Sequence, residues 1–205
     1  MDRDSTGPSG INGPAIAGQL PNGVIITPLA PHSDERGTLS ELFRANWDTN
    51  ISPVQWNGVH SGSNVLRGFH LHVRHADYLV TISGRMLLGL QDFRPDSPTH
   101  TLAVVLDLKG SEPAAVTIPP GVGHAFYFPE PSVHIYAVDE YWAHDDELGC
   151  RWDDEQLTLP WEIEAPLLSP KDTQAGTCRE MVEEYLRQKS QYAATAPKKV
   201  EQNVR

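Results

Sequence analysis

Val65-Leu66-Arg67-Gly68-Phe69-His70-Leu71-His72 is the stretch whose reading decides the fold. Its apolar, β-branched and aromatic residues favour a pleated strand, and its two histidines sit two positions apart. Side chains at that spacing point the same way on a strand, so His70 and His72 share a face. Two imidazoles on one wall of a cavity serve either as a general base with its neighbour or as half of a metal site.

Working outward from this stretch, the same character repeats in short runs: Gly23–Pro28, Leu39–Phe43, Val54–His60, Asn64–His72, Tyr78–Ile82, Met86–Phe93, Thr101–Asp107, Ala115–Ile118, His124–Phe128 and His134–Tyr141. Gly, Pro, Asn or Asp separates nearly all of them, and that spacing predicts an all-β sandwich or barrel. Pro119-Pro120-Gly121 and Arg94-Pro95-Asp96-Ser97-Pro98 read as turns at strand ends. Helical spacing appears only in Thr177–Ser190, where Met181, Tyr185 and Leu186 recur among charges. Residues 1–22, rich in Gly, Pro, Ser and Asn, read as a flexible arm, and residues 193–205 as a disordered polar tail.

The chain has 205 residues, 39% hydrophobic and 21% charged, which suits one globular domain with tails. A formal net charge of −11 argues against nucleic acid as a partner, while Arg36, Arg67, Arg74 and Arg94 remain candidates for a local phosphate pocket. Cys150 and Cys178 have neither metal-ligand nor redox spacing and read as free thiols of a reducing cytoplasm. No apolar run approaches the ~18–20 residues that cross a bilayer, so no membrane association is expected.

Several further segments carry a family resemblance: Asp34-Glu35-Arg36-Gly37 with Glu41, Gln55 with Asn57, Val65 to His70, Asp92-Phe93-Arg94, and Ile118-Pro119-Pro120-Gly121 leading to His124. Tyr136 with Tyr141, Glu147-Leu148-Gly149, Trp152-Asp153-Asp154, Pro160-Trp161 and Ser169-Pro170-Lys171-Asp172 complete the series. In this order the chain resembles the cupin-class nucleotide-sugar 3,5-epimerases, which act on dTDP-4-keto-6-deoxyglucose on the way to dTDP-rhamnose. The resemblance implies a jelly-roll (double-stranded β-helix) barrel over residues 23–162, and a C-terminal segment, 163–192, whose helix packs on the barrel. It also implies a homodimer, in which Arg36 and Glu41 line the neighbour's site.

The activity so implied is proton abstraction beside a ketone and return of a proton to the opposite face, without a cofactor. By the same resemblance His70 is the base, Asp172 its carboxylate partner and Tyr136 the acid. Arg67 and Arg36 hold the pyrophosphate, and Glu41, Gln55, Asn57, His124 and Tyr141 complete the substrate site. Read alone, Tyr136 also fits a core aromatic, and Ser169-Pro170-Lys171-Asp172 also fits a helix N-cap. Asp145-Asp146-Glu147 reads as solvated loop charge, and Trp152 and Trp161 as packing residues.

The chain departs from the family pattern at Asp77, where a lysine steadies the enolate, and near Leu39, where an aromatic stacks on the nucleotide base. An anion at position 77 would oppose negative charge on the substrate oxygen. His70, His72, Asp77 and Gly84, followed by Pro119, Gly121 and His124, also match the two metal motifs of cupins. The alternative is therefore a metal-dependent cupin (isomerase, oxygenase or lyase) holding one divalent transition metal with His70, His72, Asp77 and His124. In a bridging version, His72, Asp77 and His124 hold the metal while His70 stays free as base. A third reading is a non-catalytic nucleotide-sugar binder, in which the arginines matter and His70 does not.

Overall fold

The computed structural model describes residues 18–195; the expected arm at 1–17 and the tail at 196–205 lie outside them. Two five-stranded antiparallel sheets face each other, as a jelly roll requires. One sheet runs β1 (Ile25–Pro28), β9 (Ala114–Ile118), β6 (Asp77–Ser83), β11 (Ser132–Val138), β4 (Gln55–Ser61). Its partner runs β12 (Leu148–Gly149), β5 (Val65–Leu71), β10 (Val122–Phe128), β7 (Arg85–Asp92), β8 (Ala103–Lys109). A separate hairpin pairs β2 (Pro31–Asp34) with β3 (Gly37–Ser40). Two helices follow the barrel, α1 (Pro170–Thr173) and α2 (Cys178–Thr195).

The central core lies between the sheets, where Leu79, Met86, Leu88, Leu90, Val116, Ile118 and Phe128 are buried. Alternation along β7 explains its share: Met86, Leu88 and Leu90 point inward at period two, each with 0% exposure. A second cluster seats α2 on the outer face of β5 and β10, through Phe69, Leu71, Phe93, Met181 and Tyr185. Gly123 makes that contact possible, because a Cβ there would lie 2.3 Å from the Phe69 ring. A third cluster covers the outer face of the first sheet with Leu42, Phe43, Trp47 and Ile51.

Several expectations need correction. Leu39–Phe43 is not one strand: the chain turns at Gly37 to form the β2–β3 hairpin and then runs irregularly to β4. β11 stops at Val138, short of Tyr141. Residues 18–22 are anchored, since Leu20 packs on the core and the Asn22 N–H donates to Thr99 Oγ1 at 2.7 Å. Residues 193–195 continue α2 instead of opening the tail. Arg94 is no phosphate ligand of the cavity; it is tied to buried Asp92, which also accepts from Ser97 Oγ at 2.6 Å and Thr99 Oγ1 at 2.7 Å.

Candidate active site

The cavity opens between the two sheets and has a volume of about 260 Å³. The second sheet supplies Arg67 and His70 from β5 and His124 from β10; the first supplies Asn57 from β4, Asp77 from β6 and Tyr136 from β11. The β5–β6 connection adds His72 and His75.

A bulge shapes the β5 wall. His124 pairs with His70 but Phe126 with Arg67, so three steps on β5 oppose two on β10. The extra residue is absorbed around Gly68, at φ +111°, where a Cβ would lie 2.9 Å from the His124 carbonyl oxygen. The bulge turns both Arg67 and His70 toward the cavity, which strict alternation at three-residue spacing forbids.

His70 Nε2 lies 3.1 Å from Asp172 Oδ1, and His70 Nδ1 lies 3.6 Å from Glu147 Oε1. Asp172 reaches the ring from α1, whose N-cap is Ser169; Ser169 Oγ donates to Asp172 Oδ2 at 2.8 Å. Burial raises the Asp172 carboxyl, but hydrogen bonds from His70, Ser169 and the Gly68 backbone outweigh it and hold the group below the usual range. Glu147 is held to about 2: burial opposes ionisation, but Lys171 at 2.8 Å, the charge of His70 and the Trp142 indole prevail. Burial raises the Tyr136 phenol, and the charges of Asp77 and Glu147 push in the same direction. Arg67 Nε donates to Ser61 Oγ at 3.1 Å and forms no ion pair with a described carboxylate, leaving its charge for a ligand.

Three expected substrate residues stand outside this chain's own cavity. Arg36 is exposed and paired with Asp34, and Glu41 is paired with Arg44, both close to the β2–β3 hairpin. Tyr141 is 76% exposed because β11 has already ended. Gln55, two positions before Asn57 on the same face of β4, donates to Asn57 Oδ1 at 3.1 Å and accepts from the Trp142 backbone N–H. Glu147, Trp142, Lys171 and His134 line the cavity and were not singled out as site residues. Asp146 and Glu147 are not solvated loop charges: Asp146 is 2% exposed and accepts the backbone N–H groups of Val73 and Arg74. Arg74 pairs with Asp145 and Asp146, away from both Asp77 and the cavity.

Among the described residues, His70, His72, Asp77 and His124 are not brought together as one metal-ligand cluster; the cluster that forms is His72, His75 and Asp77, while His70 Nε2 faces Asp172. Burial, chiefly, keeps His72 neutral, with its imidazole lowered to about 3, and lowers His124 as well. Burial pushes Asp77 up to about 7 despite the opposing charge of His75, and Asp139, Glu147 and Asp146 add to the rise.

Residues 19–180 match the family model described as dTDP-4-dehydrorhamnose 3,5-epimerase. The chain belongs to this family. It is 31% identical over 164 residues to the dTDP-4-dehydrorhamnose 3,5-epimerase of Pseudomonas aeruginosa, covering 76% of this chain and 90% of that protein. It is 30% identical over 149 residues to a spore coat polysaccharide biosynthesis protein of Bacillus subtilis, covering 70% and 97%. Among solved structures, the dTDP-6-deoxy-D-glucose-3,5-epimerase of Legionella pneumophila in complex with dTDP-4-keto-L-rhamnose superposes with a TM-score of 0.73 at 27% identity, covering 81% of this chain and 95% of that one. Membership in the dTDP-4-dehydrorhamnose 3,5-epimerase family makes this chain an epimerase of a nucleotide-linked keto sugar, built on the family's jelly roll.

Proposed function

We propose that the epimerase acts on a dTDP-linked 4-keto-6-deoxy sugar, with His70 removing the proton beside the ketone and Tyr136 returning one from the opposite sheet. The observation that carries this reading is the His70–Asp172 pair on one wall of the cavity, with the Tyr136 phenol on the other. A base must hold its lone pair toward the substrate, and Asp172 restrains the imidazole so that its other nitrogen is presented to the cavity. A phenol raised by burial keeps its proton at neutral pH and so remains a donor.

Arg67 supplies the fork for the diphosphate, and Asn57 and His124 supply neutral hydrogen bonds. Asp77, raised to about 7, is about half protonated near neutrality, so it places less negative charge against an enolate than an ordinary carboxylate would. A cytoplasmic homodimer is part of the same reading. Trp56 on β4, Val54 just before it, Ile82 near the end of β6 and Leu39 on β3 are exposed large hydrophobics, where a second subunit would cover them. No described helix is long and apolar enough to cross a membrane.

The test is proton NMR of dTDP-4-keto-6-deoxyglucose in heavy water with the protein. Loss of the signal at carbon 3, at carbon 5 or at both is expected, and the positions lost state the regiochemistry. Retention of both signals by folded protein that still binds the nucleotide sugar would overturn the catalytic reading in favour of a binding protein.

A further inference from the structure

We propose that this chain binds one divalent transition-metal ion on the cavity wall through His72, His75 and Asp77. One ligand atom from each of the three lies within 4.8 Å of the others, and all three residues are buried. His72 Nε2 stands 3.8 Å from Asp77 Oδ2, too far for a hydrogen bond but a span that two metal–ligand bonds of ~2.0–2.2 Å bridge.

The protonation of the rings is set from behind. His72 Nδ1 donates to the Asp146 carbonyl at 3.1 Å, and His75 Nδ1 donates to Asp146 Oδ2 at 2.7 Å. In its neutral form each ring is thereby left with its lone pair on Nε2, the orientation that a carbonyl or carboxylate behind a metal-bound histidine enforces. Asp146 is itself pinned through Oδ1 by the backbone N–H groups of Val73 and Arg74. The two rings are tilted by 31° to each other, with centroids 4.0 Å apart.

A second observation points to the same place. His124 Nδ1 is buried and without a hydrogen-bond partner, and its ring centroid is 5.1 Å from that of His72. An unpaired imidazole nitrogen beside the cluster is a costly feature that a metal-bound water or a further metal bond would satisfy. Two imidazoles and one carboxylate select a transition metal such as Zn²⁺ over Mg²⁺ or Ca²⁺, which prefer all-oxygen sites. The site stands on these contacts alone. Any role in polarising the ketone, at the position where the family pattern carries a lysine, rests on the epimerase reading above.

The experiment is calorimetric titration of untagged, chelator-stripped protein with Zn²⁺, alongside X-ray absorption of the wild-type zinc complex. One equivalent should bind through nitrogen and oxygen ligands, including two imidazoles. Asp77→Asn and His75→Ala should each weaken binding by about 100-fold or more, while His70→Asn should not weaken it. Sulfur ligation, substoichiometric zinc, or unchanged affinity in folded Asp77→Asn would overturn the site. The absorption spectrum decides the ligands even where a variant fails to fold. Stoichiometric zinc without proton exchange would leave the metal site standing and remove the epimerase; full exchange in protein that binds no zinc would do the reverse.

Discussion

His70 Nε2 and Asp172 Oδ1 lie 3.1 Å apart, although 102 residues separate them in the chain. β5 carries the imidazole and the first turn of α1 presents the carboxylate, so the pair exists only when the C-terminal segment docks on the barrel. His70→Asn should lower the rate of hydrogen–deuterium exchange at the sugar carbons by about 10²–10⁴-fold without unfolding the protein. Asp172→Asn should lower it less, by about 10–100-fold, and also change the pH profile of kcat/KM. A His70 variant with the wild-type exchange rate would place the base elsewhere.

Tyr136 faces that pair from the other sheet, so loss of its hydroxyl should separate the two halves of the reaction. Tyr136→Phe should still exchange the substrate proton while inverting the sugar carbon at least about tenfold more slowly. Comparing isotope incorporation with product stereochemistry by NMR checks this, and equal losses would argue against a proton-donor role.

Arg67 is the cavity's guanidinium without a described ion-pair partner. Arg67→Ala should raise KM by about 10–100-fold, since a hydrogen bond to a charged group is worth ~1.5–3 kcal/mol, and should change kcat less. Arg67→Lys should recover only part of the loss, because an ammonium cannot reproduce the two-pronged fork. Steady-state kinetics with the dTDP-sugar decide it, and an unchanged KM would move the diphosphate to another surface.

Gly68 carries the bulge that brings Arg67 and His70 onto one wall. Gly68→Ala places a methyl group 2.9 Å from the His124 carbonyl oxygen at a φ of +111° that L-residues avoid. A loss of about 1–3 kcal/mol in urea denaturation is expected, together with a larger loss of activity than the stability change explains. A fully active, equally stable variant would show that the bulge is dispensable.

Acid should destabilise the fold in two stages. His134 is lowered to about 4 by burial and, after that, by the charge of Arg67. The unfolded imidazole takes up its proton near pH ~6.5, so stability is complete above that value and declines as pH falls from ~6.5 toward 4. Asp92 is buried, which by itself raises its carboxyl, yet Arg94, Ser97 and Thr99 hold it well below the usual range. Its contribution is present above the unfolded value of ~3.9 and is lost as pH falls further. Urea midpoints at pH 7, 5 and 3 should fall in that order, and Asp92→Asn should flatten the lower stage; a midpoint independent of pH would contradict both assignments.

How much of this was legible in the chain follows from the range of each signal. Hydrophobic runs separated by Gly, Pro, Asn and Asp are local, and they located nine of the barrel's strands; Pro31–Asp34 escaped because a polar hairpin buries nothing. Asp146 and Glu147 looked like solvent-facing charge because no local pattern marks a buried carboxylate. Their burial depends on partners at Val73, Arg74, His75 and Lys171, most of them more than seventy positions away.

The sequence by itself determined the all-β class, the family, and the likeness of His70, Tyr136 and Asp172 to the family's proton-transfer residues. Only the tertiary structure decided what surrounds them. Period two places His70 with His72 and separates both from Arg67, but the bulge at Gly68 overrides that alternation and sets Arg67 beside His70. Only the closed barrel with the C-terminal segment docked on it commits His70 to Asp172, draws His75 to His72 and Asp77, and leaves Arg36 and Glu41 outside this chain's cavity. Strand identity is written in local side-chain alternation, whereas a site's composition depends on which distant groups compete for the same ring nitrogen or carboxylate once water has been excluded.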